Sequence, residues 1–301
     1  SLSTFCQAEI VVPDHSGQTV RLAKPATRIV SLAPHITEIL YAVGAGASII
    51  ATVDASDYPP AARQIPRLGS HAGIDLEALL KARPDLVIAW KNGTPPALIE
   101  KMQALGLPLF VSQLDHVESL AREMERFGQL TGNTETSRNA AQRFRQRLAD
   151  LETRYAQKPT VRVFYEIWNQ PLMTVGGTQI ISEVIRLCGG KNVFGSLRTL
   201  APTVSVEAVL AARPEAIIAA GPENARSHWL NAWKQWPQLP AVARGNLFHI
   251  DPDLMHRHSQ RLLEGAEQLC TQLEKARRKR AELELAHPNA AGIDIGSASH
   301  F

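Results

Sequence analysis

No stretch of this chain reaches the roughly 18 to 20 consecutive apolar residues that a membrane-spanning helix requires, so nothing in it reads as a transmembrane anchor. Catalytic signatures are missing as well. There is no G-x-S-x-G elbow, no H-E-x-x-H and no G-x-x-x-x-G-K-[ST] phosphate loop, which removes the commonest hydrolase, zinc-protease and nucleotide-dependent readings. Gly44-Ala-Gly46 opens like a dinucleotide fingerprint, but Ile49 stands where the third glycine belongs and the pair follows a helix, so it reads as a helix stop. Cysteine is scarce. The three present, Cys6, Cys188 and Cys270, form no C-x-x-C, so neither a zinc ribbon nor a thioredoxin-type pair is supported. Two of them could join in an oxidising compartment, or they could be buried thiols. A large excess of one charge is missing too: 32 basic against 29 acidic residues give a net charge of +3, and much of that excess sits in the run Lys275-Ala-Arg-Arg-Lys-Arg280. Nucleic acid is therefore not expected as a partner.

What is present describes a folded, two-part molecule. A length of 301 residues exceeds the usual single core, and 45% hydrophobic with 20% charged residues is ordinary for a globular chain. The segment Asp75-Leu-Glu-Ala-Leu-Leu-Lys-Ala-Arg-Pro-Asp-Leu-Val-Ile-Ala89 recurs 130 positions later as Ser205-Val-Glu-Ala-Val-Leu-Ala-Ala-Arg-Pro-Glu-Ala-Ile-Ile-Ala219, with eight of fifteen pairs identical. Each copy reads as a short helix with Asp75 or Ser205 at its N-cap, an Ala-Arg-Pro stop and a buried strand. Two copies at so long a period point to duplicated lobes rather than a solenoid. Around them, strands are expected at 28–32, 49–53, 109–111, 161–165 and 247–250, with helices at 37–43 and 179–188. Alternating helices and apolar strands predict parallel sheets. From 134 to 157, without Gly or Pro, Ala140, Phe144, Leu148, Leu151 and Tyr155 mark one face of a long helix, a stiff strut between two α/β, Rossmann-like lobes. The expected organisation is an N-terminal segment 1–24, a lobe 25–132, a connecting helix 133–158, a second lobe 159–275 and a flexible tail 276–301. Two lobes on a stiff connection leave a cleft, a common place for a ligand.

Candidate functional residues follow from this frame. Glu77 and Glu207 occupy equivalent places in the two copies. Each either complements its helix dipole or offers a carboxylate to an arginine of a two-fold partner. His35, His71, His256 and His258 invite a metal reading, but their spacing defines no site. Asp251, Asp253, Arg257 and Arg261 are either a solvated loop or a polar rim for a ligand. The opening Ser1-Leu-Ser-Thr-Phe-Cys-Gln-Ala8 reads as the end of a signal peptide.

Several segments together resemble a known family. Ile29-Val-Ser-Leu-Ala-Pro-His-Ile-Thr-Glu38, Ser56-Asp-Tyr-Pro-Pro60, Pro84-Asp-Leu-Val-Ile-Ala-Trp90, Cys188-Gly-Gly-Lys-Asn-Val-Phe194 and Gln268-Leu-Cys270 are similar to the periplasmic cobalamin-binding proteins of ABC importers. These belong to the helical-backbone (class III) group of binding proteins, which also includes haem, siderophore and metal-ion binders. The resemblance covers roughly residues 26–275. It implies a monomeric, non-enzymatic periplasmic receptor with no cofactor, which carries cobalamin (vitamin B12) or a related corrinoid as cargo. It implies a Cys188–Cys270 disulfide, docking of Glu77 and Glu207 on the two permease subunits, and ligand contacts from Pro34, His35, Tyr58, Trp90, Asp253 and Arg257.

The chain also departs from that family. His71 and Ala201 stand where tryptophans are expected, and Ile167 and Met173 where phenylalanines are. A flat corrin ring would lose aromatic area there, for which Trp168, Trp229, Trp233 and Trp236 could compensate. His71 stays among the candidate ligand contacts and could approach a metal centre. Haem or a ferric siderophore is the rival cargo; an enzyme with a metal centre between the lobes is the reading from another class. The terminal segment 290–301 resembles the first strand of an RNase H-like transposase and stops there.

Overall fold

The computed structural model describes residues 9–70 and 73–286. His71, Cys6 with the rest of the opening segment, and the transposase-like end lie outside them. The described residues divide into two α/β units: the chain through Asp150 together with Arg257–Leu263, and Leu151–His256 together with the chain from Glu264 onward.

Each unit is built on a four-stranded parallel sheet of the same topology. In the first, the strand order is Ile49–Ala51, Ile29–Ser31, Leu86–Trp90, Leu109–Ser112. In the second it is Gly190–Asn192, Val161–Glu166, Ala216–Ala219, Leu247–His249. Residues 86–89 and 216–219 are buried at every position, the pattern of strands covered on both faces by helices. Gly190–Asn192 carries two polar residues and a glycine and has no strand signature in the sequence; its pairing with Val161–Glu166 makes it one. An antiparallel hairpin, Ile10–Pro13 with Thr19–Leu22, is a further element that the sequence did not announce.

The repeat folds as the same device twice. Asp75 accepts a hydrogen bond from the Ala78 amide and caps helix Leu76–Lys81, and Ser205 accepts from Ala208 and caps helix Val206–Ala212. Both helices end in an arginine with left-handed backbone, Arg83 at φ 48° and Arg213 at φ 45°, a conformation costing a non-glycine residue about 1–2 kcal/mol. The next residue is proline, which cannot continue the helix. A second arginine, at the head of the first strand, then closes the junction. Arg28 donates to the carbonyls of Ala82 (2.5 Å) and Arg83 (3.2 Å), while the Asp85 carboxylate receives the Arg28 amide (2.9 Å). Arg162 donates to Ala212, and Glu215 receives its amide (3.0 Å). Helix end, first strand and third strand are thereby locked together in both units, with cations on the negative end of each helix.

The helix Thr134–Tyr155 spans 22 residues, about 33 Å, and runs from the first unit into the second. Its buried stripe passes through Ser137, Ala141, Phe144, Leu148, Leu151 and Tyr155. Ala141, not Ala140, lies on that stripe, because the spacing of four and three residues counted back from Phe144 reaches 141 and then 137. The last helix, Leu262–Ala286, continues beyond residue 275. Its basic run is used within the fold: Arg277 donates to Pro159, Cys188 and Gly189 carbonyls, Lys279 to Gly245 and Arg280 to Thr160.

In the second unit Cys188, the C-cap of helix Ile180–Leu187, is disulfide-bonded to Cys270 with both side chains fully buried. The bridge closes a loop across 82 residues, which in the chain-entropy picture restricts the unfolded ensemble by about 4 kcal/mol. The double variant C188S/C270S is expected to lose about 2–4 kcal/mol of unfolding free energy in urea denaturation; a loss below about 0.5 kcal/mol would show that the bridge contributes little.

Candidate functional site

In the first unit the ends of the strands support a compact polar and aromatic cluster. Helix Pro34–Ala42 begins with Pro34 at its first position, where a missing N–H costs nothing. Its second residue, His35, is buried and meets the Trp90 ring edge to face at 5.2 Å. Burial, followed by the charge of nearby His258, lowers the His35 pKa to about 3, so the ring is neutral at any physiological pH. Trp90 ends the strand Leu86–Trp90, and its amide donates to Thr94 Oγ1 at 3.1 Å. Its ring lies so close to Gly93 that a Cβ there would fall 1.8 Å from it; only glycine fits.

A row of buried hydroxyls holds the neighbouring loop. Ser31, Thr37, Thr52 and Ser56 are linked in sequence at 2.8–2.9 Å, which anchors the segment carrying Asp57 and Tyr58. Arg257–Leu263 groups with this unit although it follows the last strand of the other one in the chain. Glu38, 1% exposed, is the reason: Ser259 Oγ donates to it at 2.5 Å, and Arg257 and Arg261 each approach it at 3.3 Å. Arg257 also donates to Asp57 Oδ1 at 2.6 Å. Burial pushes the Glu38 carboxyl above its usual range, against the pull of Ser259, Arg261 and Arg257. Slight burial acts upward on Asp57 too, but Arg257 outweighs it and the carboxyl lies below the usual range. Arg261 places its Cζ over the Tyr58 ring, 3.8 Å from the centroid, a cation–π contact that leaves Tyr58 37% exposed.

In the second unit a hairpin, Trp168–Asn169 with Leu172–Met173, follows the first strand. Trp168 is 49% exposed, donates its indole N–H to the Gln170 carbonyl at 2.9 Å, and packs edge to face on buried Trp229 at 5.9 Å. Trp229 in turn needs Gly221, where a Cβ would lie 2.6 Å from the ring. Beneath, Trp233 donates to the fully enclosed Glu166 carboxylate at 2.8 Å. Asp251 caps the short helix Pro252–Met255 by accepting from the Asp253 amide, so of the two acids in that loop Asp251 is a capping group, while Asp253 sits half-buried in the first turn.

Of the sequence-selected residues, Pro34, His35, Tyr58, Trp90 and Arg257 belong to the first unit, and Trp168 and Asp253 to the second. Glu77 and Glu207 are exposed on the first turns of their helices. Glu38, Asp57, Ser259 and Glu166 escaped the sequence reading; the signal for Glu38 was a carboxylate set among the apolar residues Ile36, Ile39 and Leu40. Among the described residues, no three histidines, cysteines or carboxylates come together as a metal site, and no helix is long and apolar enough to cross a membrane.

Burial raises the Glu166 pKa to about 7, with the Trp233 hydrogen bond opposing it. The folded state thus holds this proton more tightly than the unfolded chain does. Its contribution is complete below about pH 4.5 and is lost as pH rises through about 7, a difference of about 3 kcal/mol. E166Q, which keeps the acceptor for Trp233 without the charge, is expected to unfold at higher urea than the parent at pH 8 and at a similar concentration at pH 4.5. Equal midpoints at pH 8 would contradict the assignment.

Comparison with known proteins gives a consistent picture. The model of the periplasmic binding protein family matches residues 29–254. The vitamin B12-binding protein of Vibrio cholerae is 38% identical over 260 residues, 86% of this chain and 94% of that protein; the one of Yersinia pestis is 36% identical over 257 residues, 83% and 88%. The crystal structure of the periplasmic vitamin B12 binding protein BtuF of Vibrio cholerae superposes with a TM-score of 0.78 at 38% identity, covering 84% of this chain and 98% of that one. The periplasmic heme-binding protein RhuT from Roseiflexus sp. RS-1, at 21% identity and a TM-score of 0.73, shares the fold. With two like-wound α/β units, a long linking helix and a family match over most of its length, the chain belongs to the periplasmic binding protein family, in its class III form.

Proposed function

We propose that this protein is a periplasmic receptor that captures cobalamin or a related corrinoid and delivers it to an ABC importer, without catalysis and as a monomer. The observation that carries the reading is the 38% identity to a vitamin B12-binding protein along 94% of that relative's length. The ligand is cargo rather than a cofactor. The Cys188–Cys270 bridge suits an oxidising compartment.

The geometry of each unit supports it. In the first, Tyr58 and Trp90 offer aromatic surface, Pro34 and His35 shape the loop behind them, and Arg257 supplies hydrogen-bond donors whose direction is set by Glu38 and Asp57. In the second, Trp168 offers the most exposed aromatic face, with Asp253 as a polar contact. Aromatic rings of this kind suit a large, flat, largely apolar ring system. His71 remains a proposed contact. Glu77 and Glu207 are the proposed contacts to the two permease subunits. Haem is the weaker reading: His35 is enclosed at 6% exposure, and the haem-binding neighbour shares the fold alone.

Calorimetric titration with cyanocobalamin, with hemin in parallel, tests the proposal. One-to-one binding of cyanocobalamin at micromolar strength or tighter, about −8 kcal/mol, is expected, with W90A and W168A each weakening it by about tenfold or more. Binding of hemin and no heat with cyanocobalamin would overturn the ligand assignment.

A further inference from the structure

The duplicated helix carries a second charged residue that capping and ligand contacts leave unused. Helix Leu76–Lys81 opens beside exposed Glu77 and closes on Arg83, and helix Val206–Ala212 opens beside exposed Glu207 and closes on Arg213. Both arginines are exposed, and both hold the left-handed conformation that a helix end normally assigns to glycine. The helix-end carbonyls that such side chains could cover are already taken by Arg28 and Arg162. Among the described residues the Arg83 and Arg213 guanidinium groups have no hydrogen-bond or ion-pair partner. Backbone strain repeated at two equivalent positions, for a side chain with nothing to bind within its own unit, points outward.

Electrostatics say what it points to. In the first unit Arg28, Glu77, Leu80, Lys81, Ala82 and Arg83 surround an open recess of about 560 Å³. Three cations there face one carboxylate, so a partner surface that is only basic would be repelled around Glu77. Leu80, 39% exposed, adds an apolar contact between the two charges. In the second unit Ala211 replaces Lys81, while the Glu207 and Arg213 pair is kept.

We infer that Arg83 and Arg213 are docking residues in their own right: each unit presents a glutamate and an arginine to the importer's membrane subunit, which must answer with an arginine for the glutamate and a carboxylate for the arginine. This rests on the docking role proposed for Glu77 and Glu207. The arrangement sets the position of each contact as well as its strength, because a glutamate and an arginine displaced by one helix length meet like charge.

The test is binding of the full chain to the host's own importer complex, reconstituted in nanodiscs, measured by biolayer interferometry for R83Q/R213Q, R83G/R213G and E77Q/E207Q. Cyanocobalamin affinity is the control for folding. R83Q/R213Q is expected to weaken docking by about tenfold or more, from about three- to fivefold per site, with cyanocobalamin binding unchanged. R83G/R213G should melt at a higher temperature than the parent, since glycine relieves the strain, and yet dock as weakly as the glutamine variant; a purely structural arginine would give the higher melting temperature with parental docking. Parental docking by both arginine variants alongside loss in E77Q/E207Q would overturn the arginine role and leave the glutamate role standing. Parental docking by all three would overturn both.

Discussion

A buried carboxylate organises the first unit. Glu38 is almost completely withdrawn from water on a helix that also buries Ile36, Ile39 and Leu40, and a charge in that position is tolerated only when paired and hydrogen-bonded. Its partners, Arg257, Ser259 and Arg261, come from 219 to 223 positions away in the chain. Among the described residues, no backbone–backbone hydrogen bond ties that returning segment to a strand or helix of the first unit. The need to satisfy one carboxylate therefore draws Arg257–Leu263 into the unit, sets Arg257 against Asp57 and lays Arg261 on Tyr58. The buried hydroxyls from Ser31 to Ser56 do the complementary work from the other side by anchoring the loop that presents Asp57 and Tyr58.

The second constraint is the junction between helix and strand in each copy of the repeat. Arg28 with Asp85 and Arg162 with Glu215 solve the same problem: a short helix must stop at a proline, leave no helix-end carbonyl unpaired and release the chain into the centre of a sheet. Asp85 and Glu215 differ by a methylene, yet both receive the amide at the head of the first strand. The duplicated chemistry explains why two sheets of identical order arise from halves that elsewhere differ so much. Among the described residues it also leaves one exposed cation per copy, Arg83 or Arg213, without an internal partner, at the opposite end of a short helix from Glu77 or Glu207.

The aromatic residues depend on packing rather than on pattern. Trp90 and Trp229 each need a glycine, Gly93 and Gly221, at a distance where any side chain would collide. Trp168 stands exposed because its hairpin, not its neighbours in sequence, carries it outward. Ile167 precedes that hairpin, and Met173 lies in its second strand, paired directly with Trp168.

The sequence by itself determined the fold class, the duplication, the long linking helix and the two caps, because those rest on local periodicity and on residues within four positions of one another. Its resemblance to cobalamin binders also pointed to the disulfide. Only the tertiary structure decided the rest. The strand Gly190–Asn192 exists through pairing with a neighbour, since nothing in Gly-Lys-Asn prefers an extended chain. The basic run near 275–280 became a set of carbonyl clamps, because helix Leu262–Ala286 lies along the ends of other elements of its own unit. Glu38 and Glu166 gained their roles from burial, a property set by what packs around a carboxylate and not by the residues on either side of it. Long-range burial is written in no single segment, and so the residues that hold the candidate site together were the least legible part of the chain.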